Sequence, residues 1–350
     1  MRALVHALTA AVLTIPLAAC SVVGGDGGGS DHASGKDVVL LTHDSFALPK
    51  KVIADFDRTS GYHLVVRAMG DGGALTNKLV LTQGDPAGDV AFGVDNTFAS
   101  RALDAGVFAP YDAKLPAGAA AYRLPGDDAH ALTPVDNGNV CVNVDTTWFK
   151  AHHQQPPSSL TDLTKPAYRD LLAVPGATTS STGLAFLLGT IGAFGDHWTS
   201  YWKSLLLNGA QITDGWEQAY EVDFTQGGRH GTRPIVVSYD SSPAFTVHHG
   251  SSTTKALLDT CFRQVEYVGV LDGAKNTAGA RALVDFMLTD EVQRALPDSM
   301  YVFPVRKATK LPSEWAKFAV QPTHPYDVSP ADISSHRDQW LTQWDDLVTQ

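Results

Sequence analysis

Residues 234–245, with the sequence PIVVSYDSSPAF, combine groups that can bind a small molecule. The apolar run at 235–237 is typical of a buried β-strand, and it ends in hydroxyl, carboxylate and aromatic side chains: Ser238, Tyr239, Asp240, Ser241, Ser242 and then Phe245. In open α/β sheets small ligands bind beyond the carboxyl ends of the strands, where amides and short polar side chains are free to hydrogen-bond. An ordinary Ser-Pro turn after a strand is the alternative interpretation.

Comparable polar or aromatic tips occur in both halves of the chain. They include His43, Asp71-Gly72, Ser180-Ser181, Trp216 and Tyr301. The Ser/Thr-rich segment around Ser180 runs into a helical pattern, so it suits either an oxyanion cradle at the first-turn amides or a simple helix cap. The aromatic side chains suit either stacking on a flat ligand or packing in the core. A cleft between two lobes would bring these tips together.

The elements that must position these residues alternate regularly in the first third of the chain. Strands are predicted at 37–42, 62–68 and 89–94, and each is followed by a polar tip and a helix, at 48–57, 74–82 and 97–105. This alternation predicts an α/β fold with a parallel sheet and right-handed crossovers.

The pattern changes after residue 131. Residues 139–144 predict a longer strand passing between lobes, and further strands are predicted at 171–174, at 235–237, at 264–270 and, as a short piece, after residue 211. Helices are predicted at 160–164, 184–194, 197–208 and 277–288, the last continuing through 290–296. Another helix is predicted to begin at Trp216, and a final one to contain Trp340 and Trp344. A loop is predicted at 297–304. We expect a first lobe of about 37–140 with a C-terminal part, and a second lobe of about 145–270.

The N-terminal residues have the features of an export signal. Arg2, the apolar run at 3–19 and the small residues before Cys20 are typical of a secretory signal peptide. The segment Leu17-Ala18-Ala19-Cys20 resembles the bacterial lipobox, in which the cysteine carries the lipid. The interpretation is a lipoprotein signal peptide at 1–19, with plain secretion as the alternative, and a flexible Gly/Ser-rich tether at 20–36 with a lipidated Cys20. The folded body, 37–350, is then expected outside the cell, anchored to the outer face of the cell membrane or periplasmic.

The charge balance of the chain restricts its partners. The signal peptide holds one of the 26 basic residues, so the mature chain has 25 basic and 37 acidic residues and a net charge of −12. Nucleic acids bind basic surfaces, and this balance therefore argues against a nucleic-acid partner. The length suffices for one large or two medium domains.

Two cysteines lie within the body, Cys141 and Cys261. An even pair in an oxidising compartment is consistent with a disulfide. They are far apart in the sequence, which cannot place their Cβ atoms, so a disulfide and two separate buried thiols both remain open.

Seven motifs, in one order from about residue 38 to residue 344, resemble the thiamine-binding periplasmic proteins of bacterial thiamine ABC transporters. They are His43-Asp44-Ser45-Phe46; Asp71-Gly72; Gly93-Val94-Asp95-Asn96; Thr179-Ser180-Ser181-Thr182-Gly183-Leu184; Gly215-Trp216-Glu217-Gln218-Ala219-Tyr220; Ser238-Tyr239 with Ser242-Pro243-Ala244; and Phe286-Met287 with Phe303-Pro304-Val305. Each motif is weak alone, and the specificity lies in their shared order.

The resemblance implies a two-lobed α/β fold of the periplasmic-binding-protein type II, with the ligand cleft between the lobes. It implies a monomer that captures thiamine and delivers it to the permease and ATPase subunits of an ABC transporter, without a cofactor. Carried over by motif, the ligand-binding positions are His43, Asp71, Gly72, Ser180, Ser181, Trp216, Tyr239, Asp240, Ser241, Ser242, Phe245 and Tyr301. Aromatic faces and a carboxylate such as Asp71 suit the cationic thiazolium ring and flat aminopyrimidine of thiamine.

The chain departs from the family pattern at several of these positions. His43 stands where the family has Tyr, and Phe245 and Tyr301 stand where other aromatic residues are expected. Asp240 replaces a neutral hydroxyl residue beside the expected pocket for the hydroxyethyl arm, where a carboxylate would oppose a phosphate. The sequence therefore predicts a preference for free thiamine over its phosphates.

Two other classes of function fit parts of the sequence. A binding protein for another cationic solute, such as a polyamine, suits the acidic tips at Asp44, Asp71, Asp95 and Asp136. A secreted hydrolase is the second alternative, but the chain has neither a Gly-x-Ser-x-Gly elbow nor a His-Glu-x-x-His zinc helix. We expect neither an enzyme nor a metal site.

Overall fold

The computed structural model describes residues 35–349 apart from Arg229. The predicted signal peptide, the lipidated Cys20 and nearly all of the tether lie outside the described residues. Among the described residues, no helix is both long and apolar enough to span a membrane.

Strands and helices alternate along the described chain. The strands are β1 (Asp37–Thr42), β2 (His63–Ala68), β3 (Val90–Asp95), β4 (Thr133–Asp145), β5 (Leu172–Pro175), β6 (Gln211–Thr213), β7 (Ile235–Tyr239), β8 (Val247–His248), β9 (Ser251–Ser252), β10 (Thr254–Val270) and β11 (Phe303–Pro304). The helices are α1 (Lys50–Ser60), α2 (Gly72–Leu81), α3 (Ala99–Asp104), α4 (Thr146–Ala151), α5 (Ser181–Phe194), α6 (Trp198–Leu207), α7 (Thr277–Met287), α8 (Asp290–Met300), α9 (Ser313–Phe318) and α10 (Pro330–Val348).

One mixed sheet organises both lobes. Its strand order is β2-β1-β3-β10-β4-β7-β5-β6, with β11 added to β4. The strands at each end are parallel, β2-β1-β3 on one side and β7-β5-β6 on the other, as the alternation of strands and helices predicts. The two long central strands, β4 and β10, pair antiparallel to each other and join the two parallel ends.

A disulfide joins the two central strands. Cys141 on β4 and Cys261 on β10 are bonded, with their Cα atoms 4.1 Å apart. They lie where the β4–β10 register shifts, between Leu257 and Phe262. The structure thus confirms the disulfide alternative.

Two apolar cores cover the sheet. One core lies at the β2-β1-β3 end, where α1 and α7 contribute Phe56 and Leu283. The other extends from Phe98 to the second parallel end and includes Trp202 and Trp344. The rings of Trp202 and Trp344 meet edge to face at 5.6 Å, so α10 packs on the body as the sequence predicts.

The structure differs from the sequence predictions mainly in two regions. Strands β4 and β10 are both longer than predicted, because residues 136–139, Asp-Asn-Gly-Asn, look like a turn and yet pair with β10 along their whole length. The prediction of a loop at 297–304 is wrong for its first four residues. Helix α8 contains Pro297 and ends at Met300, and Tyr301 then adopts a left-handed φ of 65°. The short helix predicted at 160–164 is a 3₁₀ turn, Thr161–Thr164.

We expect loss of the disulfide to destabilise the fold, because the bond closes a long loop of the unfolded chain. Replacing both Cys141 and Cys261 by Ser should lower the free energy of unfolding by about 2–4 kcal/mol. Urea unfolding of the purified protein measures this. Reductant should lower the stability of the wild-type protein and leave the double variant unchanged. Equal free energies of unfolding for wild type and the double variant in the absence of reductant would contradict the prediction.

Candidate binding site

A cavity of about 280 Å³ lies beyond the carboxyl ends of strands from both parallel ends of the sheet. It is lined from both lobes and collects most of the tips that the sequence singles out. Nine of the twelve predicted positions line it: His43, Asp71, Gly72, Ser181, Trp216, Tyr239, Ser242, Phe245 and Tyr301. The cavity is therefore the candidate binding site.

The carboxylate of Asp71 connects the two sides of this cavity. It caps α2 by accepting from the amide of Gly72 at 2.6 Å. It also accepts from two amides of the other lobe, that of Trp216 at 2.8 Å and that of Ser181 at 3.4 Å. The approach is so close that a Cβ at Gly72 would lie 2.0 Å from the Ser181 hydroxyl, which requires glycine there.

Trp216 and Tyr220 form an aromatic wall. Their rings are stacked at 5.1 Å with an interplanar angle of 10°, and Tyr239 lies 6.2 Å from Trp216. The indole N–H of Trp216 donates to the Ser238 hydroxyl at 2.9 Å, which fixes the ring. The backbone here is π-helical over Gln218–Asp223, a geometry that is frequent at functional sites.

A second aromatic group faces the cavity from the end of α8. Tyr301 lies edge to face with Phe245, which in turn contacts Trp315. The hydroxyl of Ser241 donates to the carbonyl of Tyr301 at 2.6 Å. Ser241 therefore positions Tyr301 and does not itself line the cavity.

The electrostatic character of the cavity is acidic. Asp44, Glu217, Glu221 and Glu266 line it together with Asp71, whereas no Lys or Arg of the described residues does. Burial raises the pKa of Glu217, and the negative charges of Asp44, Glu221 and Asp71 raise it further. The lining therefore carries an excess of negative charge, which favours a cationic ligand.

Two other predicted positions lie outside the cavity lining. Ser180 is fully buried as the N-cap of α5, where its hydroxyl accepts from the amide of Gly183. Asp240 is also fully buried, and Asn139 donates to its carboxylate from the side-chain amide at 2.7 Å and from the backbone at 3.2 Å. Neighbouring residues at the end of a strand point to opposite faces, so Tyr239 faces the cavity and Asp240 does not. Asp240 therefore does not line this cavity, and its expected place beside the ligand remains a prediction.

Several lining residues were not among the predicted positions. Tyr220 follows Trp216 by four residues, a spacing that places two side chains together on one helical face and could have identified it. Glu217 and Glu221 repeat the same spacing. Glu266 lies inside the predicted strand 264–270, where no polar tip marks it.

A sheet with two parallel ends, two shared central strands and a cavity at their junction defines a solute-binding protein of the periplasmic type II fold. Residues 85–322 match the family described as bacterial extracellular solute-binding protein, and the chain belongs to that family. The fold predicted from the sequence is thereby confirmed.

Curated relatives of the chain carry a more specific name. The thiamine-binding periplasmic protein of Escherichia coli K12 is 26% identical over 321 residues, covering 89% of this chain and 94% of the relative. That of Brucella melitensis biotype 1 is 27% identical over 326 residues, covering 89% and 92%. A solved structure of a periplasmic thiamin binding protein superimposes with a TM-score of 0.78 at 25% identity, covering 90% of this chain and 96% of that one. These findings confirm the resemblance derived from the motifs.

The buried carboxylate of Asp240 predicts a pH dependence of stability. Burial raises its pKa to about 6 in the folded protein, against about 3.9 when unfolded. Between these values the unfolded chain loses the proton that the folded protein keeps, so this contribution to stability falls as the pH rises from about 4 to 6. Relative to wild type, Asp240→Asn should therefore gain about 1–3 kcal/mol in free energy of unfolding between pH 4 and pH 7.

Asp145→Asn provides a control of opposite sign. Asp145 is buried, but hydrogen bonds from Thr147, Thr225, Trp148 and Gln226 outweigh the burial and lower the pKa of its carboxyl. This variant should lose stability relative to wild type as the pH rises towards about 4, because the difference develops below the pKa of about 3.9 of an unfolded Asp, and the loss should be constant above that pH. Urea unfolding at four or five pH values measures both differences. If the free energies of unfolding of Asp240→Asn and of wild type change in parallel with pH, the raised pKa of Asp240 is contradicted.

Proposed function

We propose that this protein is the extracytoplasmic solute-binding component of an ABC transporter and that it captures thiamine. The observation that carries the proposal is the cavity, in which the stacked Trp216 and Tyr220 stand beside carboxylates, and to whose lining the described part of the chain contributes no Lys or Arg. Such a site favours a flat, aromatic, positively charged ligand. The names of the relatives in E. coli and Brucella support the same solute.

The parts of thiamine match different parts of the cavity. The cationic thiazolium ring suits the acidic lining and the aromatic faces of Tyr239, Phe245 and Tyr301. The aminopyrimidine is a flat heterocycle that can stack and hydrogen-bond. His43, where the family pattern has Tyr, keeps an aromatic ring at the wall and is oriented by a 3.1 Å contact between its Nδ1 and the Ser45 hydroxyl.

The route and partners of the protein follow from the same proposal. Export by the signal at 1–19 and lipidation at Cys20 would hold the body at the outer face of the membrane, near the permease and ATPase subunits that receive the solute. We expect a monomer, as the resemblance to the thiamine-binding proteins implies. Binding and release without chemical change of the solute also require neither an enzyme activity nor a cofactor.

Removal of the indole of Trp216 should weaken thiamine binding. Loss of one stacking or cation–π contact of about 0.5–2 kcal/mol raises Kd by about 2- to 30-fold. Titration calorimetry on Trp216→Ala measures the change. Trp340→Ala is the matched control, since Trp340 lies on α10 outside the cavity lining, and it should keep the wild-type Kd. Equal Kd values for the two variants would contradict the site.

Free thiamine should bind more tightly than thiamine diphosphate. A phosphate would meet the carboxylates of the lining, and two of the first-turn amides of α5 that could hold it are already used, by Asp71 at Ser181 and by Ser180 at Gly183. Calorimetric titration with thiamine, its monophosphate and its diphosphate should give Kd values that increase in that order. Tighter binding of thiamine diphosphate than of thiamine would contradict the predicted preference.

Titration with spermidine under the same conditions separates the proposal from the polyamine alternative. Binding of spermidine without binding of thiamine would contradict thiamine as the solute.

A further inference from the structure

Three carboxylates lie side by side on the neighbouring strands β3, β10 and β4. Glu266 on β10 is the direct register partner of Asp95 on β3 and of Asp136 on β4. Direct partners on adjacent strands project from the same face with Cβ atoms about 5 Å apart, where like charges are destabilising. We call Asp95, Glu266 and Asp136 the carboxylate row. Of its members, only Glu266 lines the cavity.

The carboxylate row is buried and incompletely satisfied. Asp95 and Asp136 are fully buried and Glu266 is 6% exposed. Thr97 and Phe98 donate to one oxygen of Asp95, but among the described residues no group donates to its other oxygen. The side chain that lies within hydrogen-bonding reach of the Asp136 carboxyl is that of Glu266, itself an acid, so a hydrogen bond between them needs a shared proton. Buried polar atoms without partners are rare in native proteins, and each calls for an explanation.

A side chain outside the row points to the same position. His43 is 8% exposed, and its Nε2 has no hydrogen-bond partner although it lies 3.4 Å from the Glu266 carboxylate. Both amide atoms of the buried Gln264, two residues before Glu266, are likewise without partners. The titratable groups that interact with members of the row are His43 after β1, Tyr239 on β7 and Tyr267 on β10. Within the described residues, no Lys or Arg forms an ion pair with the row.

The energetics of the row favour sharing of protons in the absence of a cation. Burial raises the pKa of Asp136 well above its usual range, and the adjacent Glu266 raises it further. Burial also raises the pKa of Asp95 to about 7, with Glu266 adding to the effect. Three adjacent buried carboxylates cannot all ionise without a positive charge near them.

We propose that Glu266 is the counter-ion that selects the positive charge of the solute, and that the carboxylate row releases a proton when the cation binds. The inference rests on the proposed function, since it assigns the residue that recognises the cationic ring. In the step, the O–H bond of one protonated carboxyl in the row breaks and its proton passes to the solvent, while the electron pair stays on the carboxylate. The charge gained by the row then balances the charge of the solute.

Calorimetry with two matched variants tests the assignment of Glu266. Glu266→Gln should raise the Kd for thiamine at least about tenfold, because it removes a desolvated charge partner. It should leave the Kd for the uncharged fragment 4-amino-5-hydroxymethyl-2-methylpyrimidine unchanged. Glu217→Gln removes an equal charge from the same cavity but from its less buried edge, and it should raise the Kd for thiamine less than about fivefold. Melting temperatures of both variants establish that they are folded.

Proton release is tested by titrating thiamine in buffers of different ionisation enthalpy. For the wild-type protein near pH 7 the observed enthalpy should vary with the buffer, corresponding to release of a fraction of a proton. Asp136→Asn leaves the cavity lining intact and should reduce this release, since the neutral amide replaces the carboxyl that shares its proton with Glu266. A comparison of the two proteins cancels any proton contributed by thiamine itself.

The outcomes separate this inference from the proposed function. Tight thiamine binding with equal Kd values for wild type and Glu266→Gln, or unchanged proton release in Asp136→Asn, would overturn the inference and leave thiamine as the solute. Binding of spermidine that depends on Glu266, without binding of thiamine, would support the inference and overturn the proposed function. Binding of no cation at all would overturn both.

Discussion

The pairing of β4 with β10 is the interaction on which the rest of the structure depends. These two strands run antiparallel from Thr133 to Asp145 and from Thr254 to Val270, and each parallel end of the sheet is attached to one of them. Neither end has another connection through the sheet. The cavity lies at their junction because the carboxyl ends of the strands of both lobes are brought there, and the disulfide fastens the same pair of strands.

Much of this fold could be predicted from the sequence. The apolar runs that form β1 and β3 are buried on both faces, and the helices that follow them begin within a few residues of the predicted positions. The length of β4 could not be predicted, because its polar centre has the composition of a turn. Only the pairing with β10, a strand much later in the chain, provides backbone partners that keep Asp136 and its neighbours extended.

The site was predictable to a similar degree and for a related reason. Polar and aromatic residues at strand ends mark the cavity, so Asp71, Trp216 and Tyr239 were identifiable before the structure. Which of two neighbouring residues faces the cavity depends on the exact end of the strand, and this is why Asp240 and Ser241 were assigned to it. Glu266 is hidden within a strand pattern, and its position opposite two further carboxylates depends on register, which the sequence of one strand does not contain.

The late position of β10 also affects how the chain reaches its folded state. Strands β3 and β4 must remain unpaired on their inner edges until residue 270 is available, so the central contacts join segments that are distant in sequence. Proteins dominated by such contacts fold slowly, since the entropy of closing long loops is lost before the contacts form. The central sheet of such a chain therefore cannot be completed until most of the chain has been made, and an incompletely folded polypeptide can still be threaded through a narrow export channel.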